Sequence, residues 1–284
     1  MSDKIREGNE VFTAEQAQQA GFQTRNVLAD DFGFEVPVES VPLPSGGTVY
    51  PSDSPIYNTM TVDIRAMTAR EEDILTSRAL IKKGTVITEL IKSCLTDKSI
   101  SVEEMLVGDR NAIMTALRVT GYGSQYTVEV QCPECDEKSK QDFQLTDLPI
   151  RRLDIHPAVE GVNAFEFKLP VTKKNVHFKF LTGRDETEIS TIQERRKKLG
   201  DKTDNLVTTR LQHQILAIDG IKDRNKINVF IKSMPARDSL ALRKHIDKNE
   251  PGIDMKSWMD CANCFETSEV QLPMGASFFW PDTE

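Results

Sequence analysis

The feature that most constrains this chain is a pair of short cysteine motifs that lie far apart. Cys132 and Cys135 belong to the segment QCPECD, and Cys261 and Cys264 belong to DCANCF. Four thiolates complete a tetrahedral zinc shell with Zn–S distances of about 2.3 Å, and a shell filled by protein leaves no open position for a substrate. The motifs therefore predict a structural zinc site of the zinc-ribbon kind, held by these four cysteines.

The gap between the two motifs is 125 residues long, whereas a common ribbon has roughly 15 to 20. A long gap is tolerated because the free energy of loop closure rises by only about 0.6 kcal/mol per doubling of length. We therefore expect a region inserted into a ribbon. Two alternatives stay open: a CxxC redox motif, which typically stands at a helix N-terminus, and four reduced cysteines without a metal. Cys94 lies on an apolar helix face and is interpreted as a core residue.

The charge of the chain bears on its partners. The 284 residues carry a net charge of −8, which argues against nucleic acid as the main partner. No apolar run approaches the roughly 18 to 20 residues that cross a bilayer, and the N-terminal residues lack the apolar core of a signal peptide. We expect neither a nucleic-acid nor a membrane partner, and folding in a reducing cytoplasm, where CxxC pairs are more typical of metal sites than of disulfides.

Hydrophobic patterning predicts an α+β fold that begins with an extended N-terminal arm, residues 1–57. Four prolines and three glycines within residues 33–51 interrupt regular structure there, although a short helix is expected near Thr13. The arm's scattered apolar residues predict that it lies on its own body or on a partner, with contacts beyond its own domain. Residues 58–125 predict a strand and a helical unit, with a capping box at Thr68 and Glu71 and a C-cap at Gly84.

The remaining segments complete this division of the chain. Residues 126–146 and 257–274 are predicted to form the zinc ribbon, around an inserted strand and helix region at residues 147–256. Within the insertion, FEFKLP and VHFKFLTG predict a strand hairpin, and the pattern from Arg184 to Lys248 predicts helices, one of them ending at Gly220.

An aromatic tail, residues 275–284, is expected to bind a partner. Phe278, Phe279 and Trp280 are consecutive, and neighbours in an extended chain point to opposite sides, so one face cannot bury all three. Because aromatic residues are enriched among interface hot spots, we interpret them as an anchor in a neighbouring protein. The alternative is a tail that folds back into the chain's own core.

Motifs of common enzymes are missing from the sequence. GxxxxGK[ST], GxGxxG, HExxH and GxSxG do not occur. The four histidines, His156, His177, His213 and His245, do not lie at metal-ligand spacing from one another, and packed or surface roles suffice for them. We therefore expect a protein that is not an enzyme.

Several segments carry a family resemblance that covers about residues 42–272. TAREEDIL, IKKGTV, VGDRN and the region around the first cysteine pair resemble the baseplate hub assembly protein family of T-even-like contractile-tailed bacteriophages. The resemblance implies a structural or assembly protein of the tail baseplate, assembled in the host cytoplasm and located in the virion, with other tail proteins as partners. Family knuckles often carry glycine after the second cysteine, where this chain has Asp136 and Phe265.

Two other functions remain open at this point. The first is a chaperone for hub assembly that is absent from the mature virion. The second is a thiol–disulfide oxidoreductase, which would need one cysteine of low pKa and turnover with a dithiol.

Overall fold

Helices and small antiparallel sheets alternate along the chain in the computed structural model, which describes residues 36–199, 205–274 and 276–279. The helix predicted near Thr13 lies outside these residues. The described helices are α1 (Ala69–Thr76), α2 (Arg78–Lys83), α3 (Val86–Cys94), α4 (Val107–Tyr122), α5 (Gly183–Lys198), α6 (Leu206–Gln214), α7 (Arg224–Ser233) and α8 (Ala236–Asn249). The described strands are β1 (Val38–Pro42), β2 (Thr61–Arg65), β3 (Gln125–Gln131), β4 (Lys138–Gln144), β5 (Ile150–Arg151), β6 (Phe165–Lys168), β7 (Asn175–Phe178), β8 (Ile215–Ile218), β9 (Gly252–Ile253), β10 (Lys256–Asp260) and β11 (Thr267–Gln271).

The described strands form one three-stranded sheet and four strand pairs, all antiparallel. β1 pairs with β2, β3 with β4, β5 with β9 and β10 with β11, and the larger sheet has the order β6-β7-β8. The predicted α+β class is therefore confirmed as a mixture of helices and small antiparallel sheets. None of the helices in the described ranges combines the length and the apolar character that a bilayer span requires.

Local signals set the ends of the first two helices as expected. The backbone N–H of Thr68 donates to the Glu71 carboxylate at 2.9 Å, which is the predicted capping box ahead of α1. The same carboxylate is fully buried and accepts a hydrogen bond from Arg65 Nη1 at 3.0 Å. Gly84 ends α2 with φ 69°, in the left-handed region that glycine enters without a steric penalty.

The prediction of a helix that continues to Gly220 is wrong for the second half of that segment. α6 ends at Gln214, and the next four residues form β8, which pairs with β7 with Val176 opposite Ile218. The segment Ile-Leu-Ala-Ile continues the apolar pattern of the helix, so periodicity alone does not separate the two structures. The decisive contact is the pairing of this segment with the outer edge of β7. The β6–β7 hairpin was itself predicted correctly.

From Val36 onward, the predicted arm is part of the chain's own core. β1 pairs with β2 in a register that sets Val38 opposite Arg65, and the loop that follows is tied to α4. The Asp109 carboxylate on α4 accepts bonds from the backbone N–H of Ser45 at 2.9 Å, from its hydroxyl at 2.6 Å and from the Tyr50 hydroxyl at 2.5 Å. Residues 36–57 thus lie on the chain's own body, one of the two expected arrangements, and their contacts beyond the domain stay a prediction. Residues 1–35 lie outside the described residues.

Helix α4 lies at the centre of one continuous apolar core. Its residues from Ala112 to Leu117 are all buried, and the core also includes residues from β1, both cysteine hairpins and the inserted region. Gly108 permits a close approach of two backbones, because a Cβ there would lie 1.7 Å from the carbonyl oxygen of Pro251. Cys94 is buried in the same core, as predicted, and burial raises the pKa of its thiol to about 12.

The prediction that Phe278 and Phe279 anchor the chain in a neighbour is wrong, because both rings are buried in the chain itself. They are 0% and 1% exposed, in a short 3-10 turn over Ala276–Phe279. The Phe278 ring meets the edge of Tyr126 at a centroid distance of 5.2 Å, and the buried guanidinium of Arg118 donates through Nε to the Phe278 carbonyl at 2.9 Å. The 3-10 turn removes the alternation assumed for an extended chain. Trp280 lies outside the described residues.

Candidate metal centre

Each cysteine motif forms the turn of a β-hairpin. β3 and β4 pair as far as Gln131 opposite Lys138, and the first motif fills the connection. β10 and β11 pair as far as Asp260 opposite Thr267, and the second motif fills theirs. Paired strands thus flank both motifs, within the two segments predicted to form the ribbon, and they hold two short turns of equal length.

The two turns share one backbone hydrogen-bonding pattern. In the first, the N–H of Asp136 donates to the Cys132 carbonyl at 2.9 Å, and the N–H of Cys132 donates to the Glu137 carbonyl at 2.8 Å. In the second, Phe265 donates to Cys261 at 2.9 Å, and Cys261 donates to the Glu266 carbonyl at 3.1 Å. Repetition of this pattern means that local backbone geometry, and not a chance approach of side chains, presents the sulfurs.

The residue after each second cysteine adopts a left-handed conformation, with φ 60° at Asp136 and φ 61° at Phe265. Glycine enters this region freely, which explains why a glycine at this position suits a cysteine knuckle. Aspartate tolerates the conformation better than most residues, whereas a bulky side chain is strained there, at a cost on the order of 1 kcal/mol. The turns therefore close in spite of the two departures from glycine.

The four sulfurs converge on one point between the hairpins. Cys132 Sγ lies 3.7 Å from Cys264 Sγ, and Cys135 Sγ lies 3.6 Å from Cys261 Sγ. All four sulfurs lie within 4.8 Å of one another. A ZnS₄ tetrahedron with bonds of about 2.3 Å has edges of about 3.8 Å, so the cysteines fit a single tetrahedral ion. An all-sulfur donor set suits a soft or borderline metal such as zinc.

Polar groups around the sulfurs shift the thiol pKa values of two cysteines in opposite directions. A backbone hydrogen bond from Glu266 lowers the pKa of Cys264, but burial and hydrogen bonds with the other three cysteines outweigh it and raise the pKa to about 12. Hydrogen bonds from the backbone N–H groups of Cys264 and Asn263 lower the pKa of Cys261 to about 7. The side-chain amide of Asn263 also donates to Cys135 Sγ at 3.6 Å. Cys132 and Cys261 are buried, while Cys135 and Cys264 are half-buried, so two of the four cysteines lie on the core side of the site.

The ends of the inserted region lie side by side, which brings the distant motifs together. β5, just after the first hairpin, pairs with β9, just before the second, with Ile150 opposite Ile253. A further link joins the hairpins directly, since the Tyr126 hydroxyl donates to the Pro273 carbonyl at 2.8 Å. The inserted region thus begins and ends at neighbouring strands, although 125 residues separate the two motifs. Sequence reasoning missed β5 and β9, because two-residue strands carry no periodic signal.

The four cysteines are the one group of three or more histidine, cysteine or acidic residues in the described ranges whose ligand atoms cluster tightly enough for a metal. The histidines take structural or surface positions, as expected: His245 stacks on Phe167 with ring centroids 4.5 Å apart. Sequence reasoning missed Asn263, whose side-chain amide donates a hydrogen bond to Cys135 Sγ. An asparagine in a CxxC turn has no distinctive spacing that would have indicated this role. The predicted partner-binding residues Phe278 and Phe279 lie in the core instead of at this site.

Comparison with known proteins identifies a family but no individual relative. No curated protein and no solved structure matches the chain significantly. One family model matches residues 38–280, more than four fifths of the chain, and it describes the T4 bacteriophage base plate protein. The match runs through both hairpins, the inserted region and the core around α4. The chain therefore belongs to the T4 bacteriophage base plate protein family.

Proposed function

We propose that this protein is a structural or assembly component of the hub region of a phage tail baseplate. It acts through contacts with other tail proteins and has no reaction of its own. The observation that carries this proposal is the family match over residues 38–280. Membership of a baseplate family implies a place in the virion tail and phage proteins as neighbours.

The four cysteines hold one structural zinc ion in this proposal. Its support is the sulfur geometry, with Sγ–Sγ separations of 3.6 and 3.7 Å across the two hairpins, and a ligand shell that leaves no position for a substrate. Zinc bound there would join β3–β4 to β10–β11. Metal analysis of the chain purified without chelators tests the proposal: we expect one zinc per chain, and a content well below one refutes it.

The alternative of a chaperone absent from the mature virion differs in one measurable respect. A structural component persists in purified particles, whereas a chaperone leaves before assembly ends. Quantitative mass spectrometry of purified virions, with a known baseplate protein as the internal standard, separates the two. We expect the chain in a fixed ratio to that standard, and its absence from virions that assemble with its help would favour the chaperone.

The alternative of a thiol–disulfide oxidoreductase has weaker support. Redox CxxC motifs draw a low cysteine pKa from a helix N-terminus, whereas both motifs here lie in hairpin turns. The lowered pKa of Cys261 equally serves metal binding. A dithiol-turnover assay on zinc-loaded and zinc-free protein tests this, and we expect no turnover in either state.

A further inference from the structure

The second cysteine hairpin presents two large aromatic side chains to solvent. Phe265 is 87% exposed and Trp258 is 64% exposed. Among the phenylalanine and tryptophan residues that the structure describes, these two alone are exposed. Single exposed apolar residues are ordinary on protein surfaces, but here both exposed aromatics belong to one hairpin of about 16 residues between Lys256 and Gln271.

Neither ring is part of the apolar core of the described residues. Trp258 lies on the outward face of β10, opposite Glu269. Its polar neighbours are satisfied by one another, since Lys256 pairs with Glu269 at 2.9 Å and Thr267 donates to Asp260 at 2.6 Å. The buried face of the hairpin is formed by Met259 and Val270 on the other side of the strands.

The backbone conformation of Phe265 also costs conformational free energy. It has φ 61°, where a bulky residue is strained and glycine is not. The side chain recovers none of this cost through packing, because it stays exposed. A strained residue that packs against nothing in its own chain is a candidate functional residue. The corresponding Asp136 in the first hairpin adopts the same backbone conformation without an aromatic ring.

The two cysteine turns, which converge at the four sulfurs, are acidic. The two turn segments, residues 132–138 and 261–267, carry four exposed carboxylates and one exposed lysine: Glu134, Asp136, Glu137, Glu266 and Lys138. A second copy of the chain is a poor match for this surface, because the whole chain carries a net charge of −8. Charge complementarity favours a partner with a basic surface.

We propose that the tip of the second hairpin is a docking element, in which Phe265 and Trp258 enter an apolar recess of a neighbouring tail protein whose rim is basic. The inference rests on the proposed role in the baseplate and adds the contact surface and the chemistry of its partner. Aromatic anchors surrounded by a charged rim are typical of protein interfaces. The metal site would hold the anchor on a rigid turn.

Phe265→Gly separates docking from folding, because glycine relieves the positive φ and removes only exposed atoms. The probe is baseplates, or baseplate intermediates, isolated from a phage whose gene for this chain is inactivated. Labelled, zinc-loaded, full-length chain is titrated against them in a sedimentation assay. Lys173→Gly is the matched control, since it relieves a similar φ of 60° at an exposed residue outside both cysteine hairpins and leaves both aromatics in place.

We expect Phe265→Gly to weaken binding roughly 30-fold, as loss of an interface hot spot does, with zinc content unchanged and a melting temperature within about 2 °C of the wild type. Trp258→Ala should weaken binding as well, whereas Lys173→Gly should change it less than about threefold. Wild-type binding should weaken as salt is raised, because charges at the rim are screened.

Equal binding by Phe265→Gly and wild type overturns the docking element and leaves the proposed baseplate role intact. Failure of the wild type to bind, together with its absence from assembling baseplates, overturns both. Binding that does not weaken as salt is raised overturns the inference that the partner's recess has a basic rim. Self-association of the purified chain that Phe265→Gly abolishes overturns the choice of partner, because the recess would then belong to a second copy.

Discussion

Replacing Phe278 by alanine tests whether the C-terminal segment belongs to the chain's own core. The ring is 0% exposed, and it packs edge-on against Tyr126 and Phe279 with centroid distances of 5.2 and 5.4 Å. An aromatic side chain buries about 150–250 Å², which corresponds to about 4–6 kcal/mol at about 25 cal/mol per Å². Measured core Phe→Ala substitutions cost about 3–5 kcal/mol. We expect the free energy of unfolding to fall by about 3–5 kcal/mol.

Urea unfolding of the zinc-loaded full chain measures this loss. The midpoint should fall while the dependence on urea stays unchanged, as expected for a loss of stability without a change in the surface exposed on unfolding. Phe265→Ala is the control, because it removes the same atoms from a side chain that is 87% exposed. We expect that variant to differ from the wild type by no more than about 0.5 kcal/mol.

The comparison of the two variants decides the result. If Phe278→Ala costs less than about 1 kcal/mol, or no more than Phe265→Ala, the ring is not packed in the folded chain and the magnitude derived from its burial is refuted. The tail would then be free for a neighbouring protein, and the original interpretation of Phe278 and Phe279 as a docking anchor would return.

Three further predictions concern the metal site and the core. Cys261→Ser should abolish stoichiometric zinc binding and lower the free energy of unfolding by several kcal/mol, because metal binding and folding are coupled; one zinc per chain with wild-type stability would contradict the site. Gly108→Ala should cost more than about 3 kcal/mol in urea unfolding, because its Cβ would meet the Pro251 carbonyl oxygen at 1.7 Å. Gly121→Ala, its control in the same helix, meets only the flexible end of Met67 and gains up to about 1 kcal/mol of helix propensity, so equal midpoints would refute the backbone contact. For Glu71, burial raises the pKa, but hydrogen bonds from Arg65, Ser93 and Thr68 outweigh it and lower the pKa from 4.5 to about 2. The stabilisation is therefore complete above about pH 4.5 and is lost as the pH falls toward 2, so Glu71→Gln should flatten the stability profile in that window, and profiles of identical shape would refute the assignment.

The sequence by itself determined the features that depend on neighbouring residues. A CxxC turn is a local geometry, so the four candidate ligands Cys132, Cys135, Cys261 and Cys264 were predicted without knowledge of the fold, and the structure brings their sulfurs together. The capping box at Thr68 and the glycine end of α2 depend on hydrogen bonds and backbone preferences within a few residues. The hairpin strands beside both motifs follow from alternation within each strand.

Only the tertiary structure decided the features that depend on distant partners. Residues 36–57 join the core because Ser45 and Tyr50 satisfy Asp109, which lies 64 and 59 residues further along the chain. β8 is a strand because the edge of β7 is available to it. The left-handed conformation of Phe265 could not be predicted from its residue type, because phenylalanine disfavours that conformation. The backbone hydrogen bonds of the second cysteine turn hold the residue there. Burial and pairing of this kind draw their free energy from contacts across long sequence separations, which local patterns do not record.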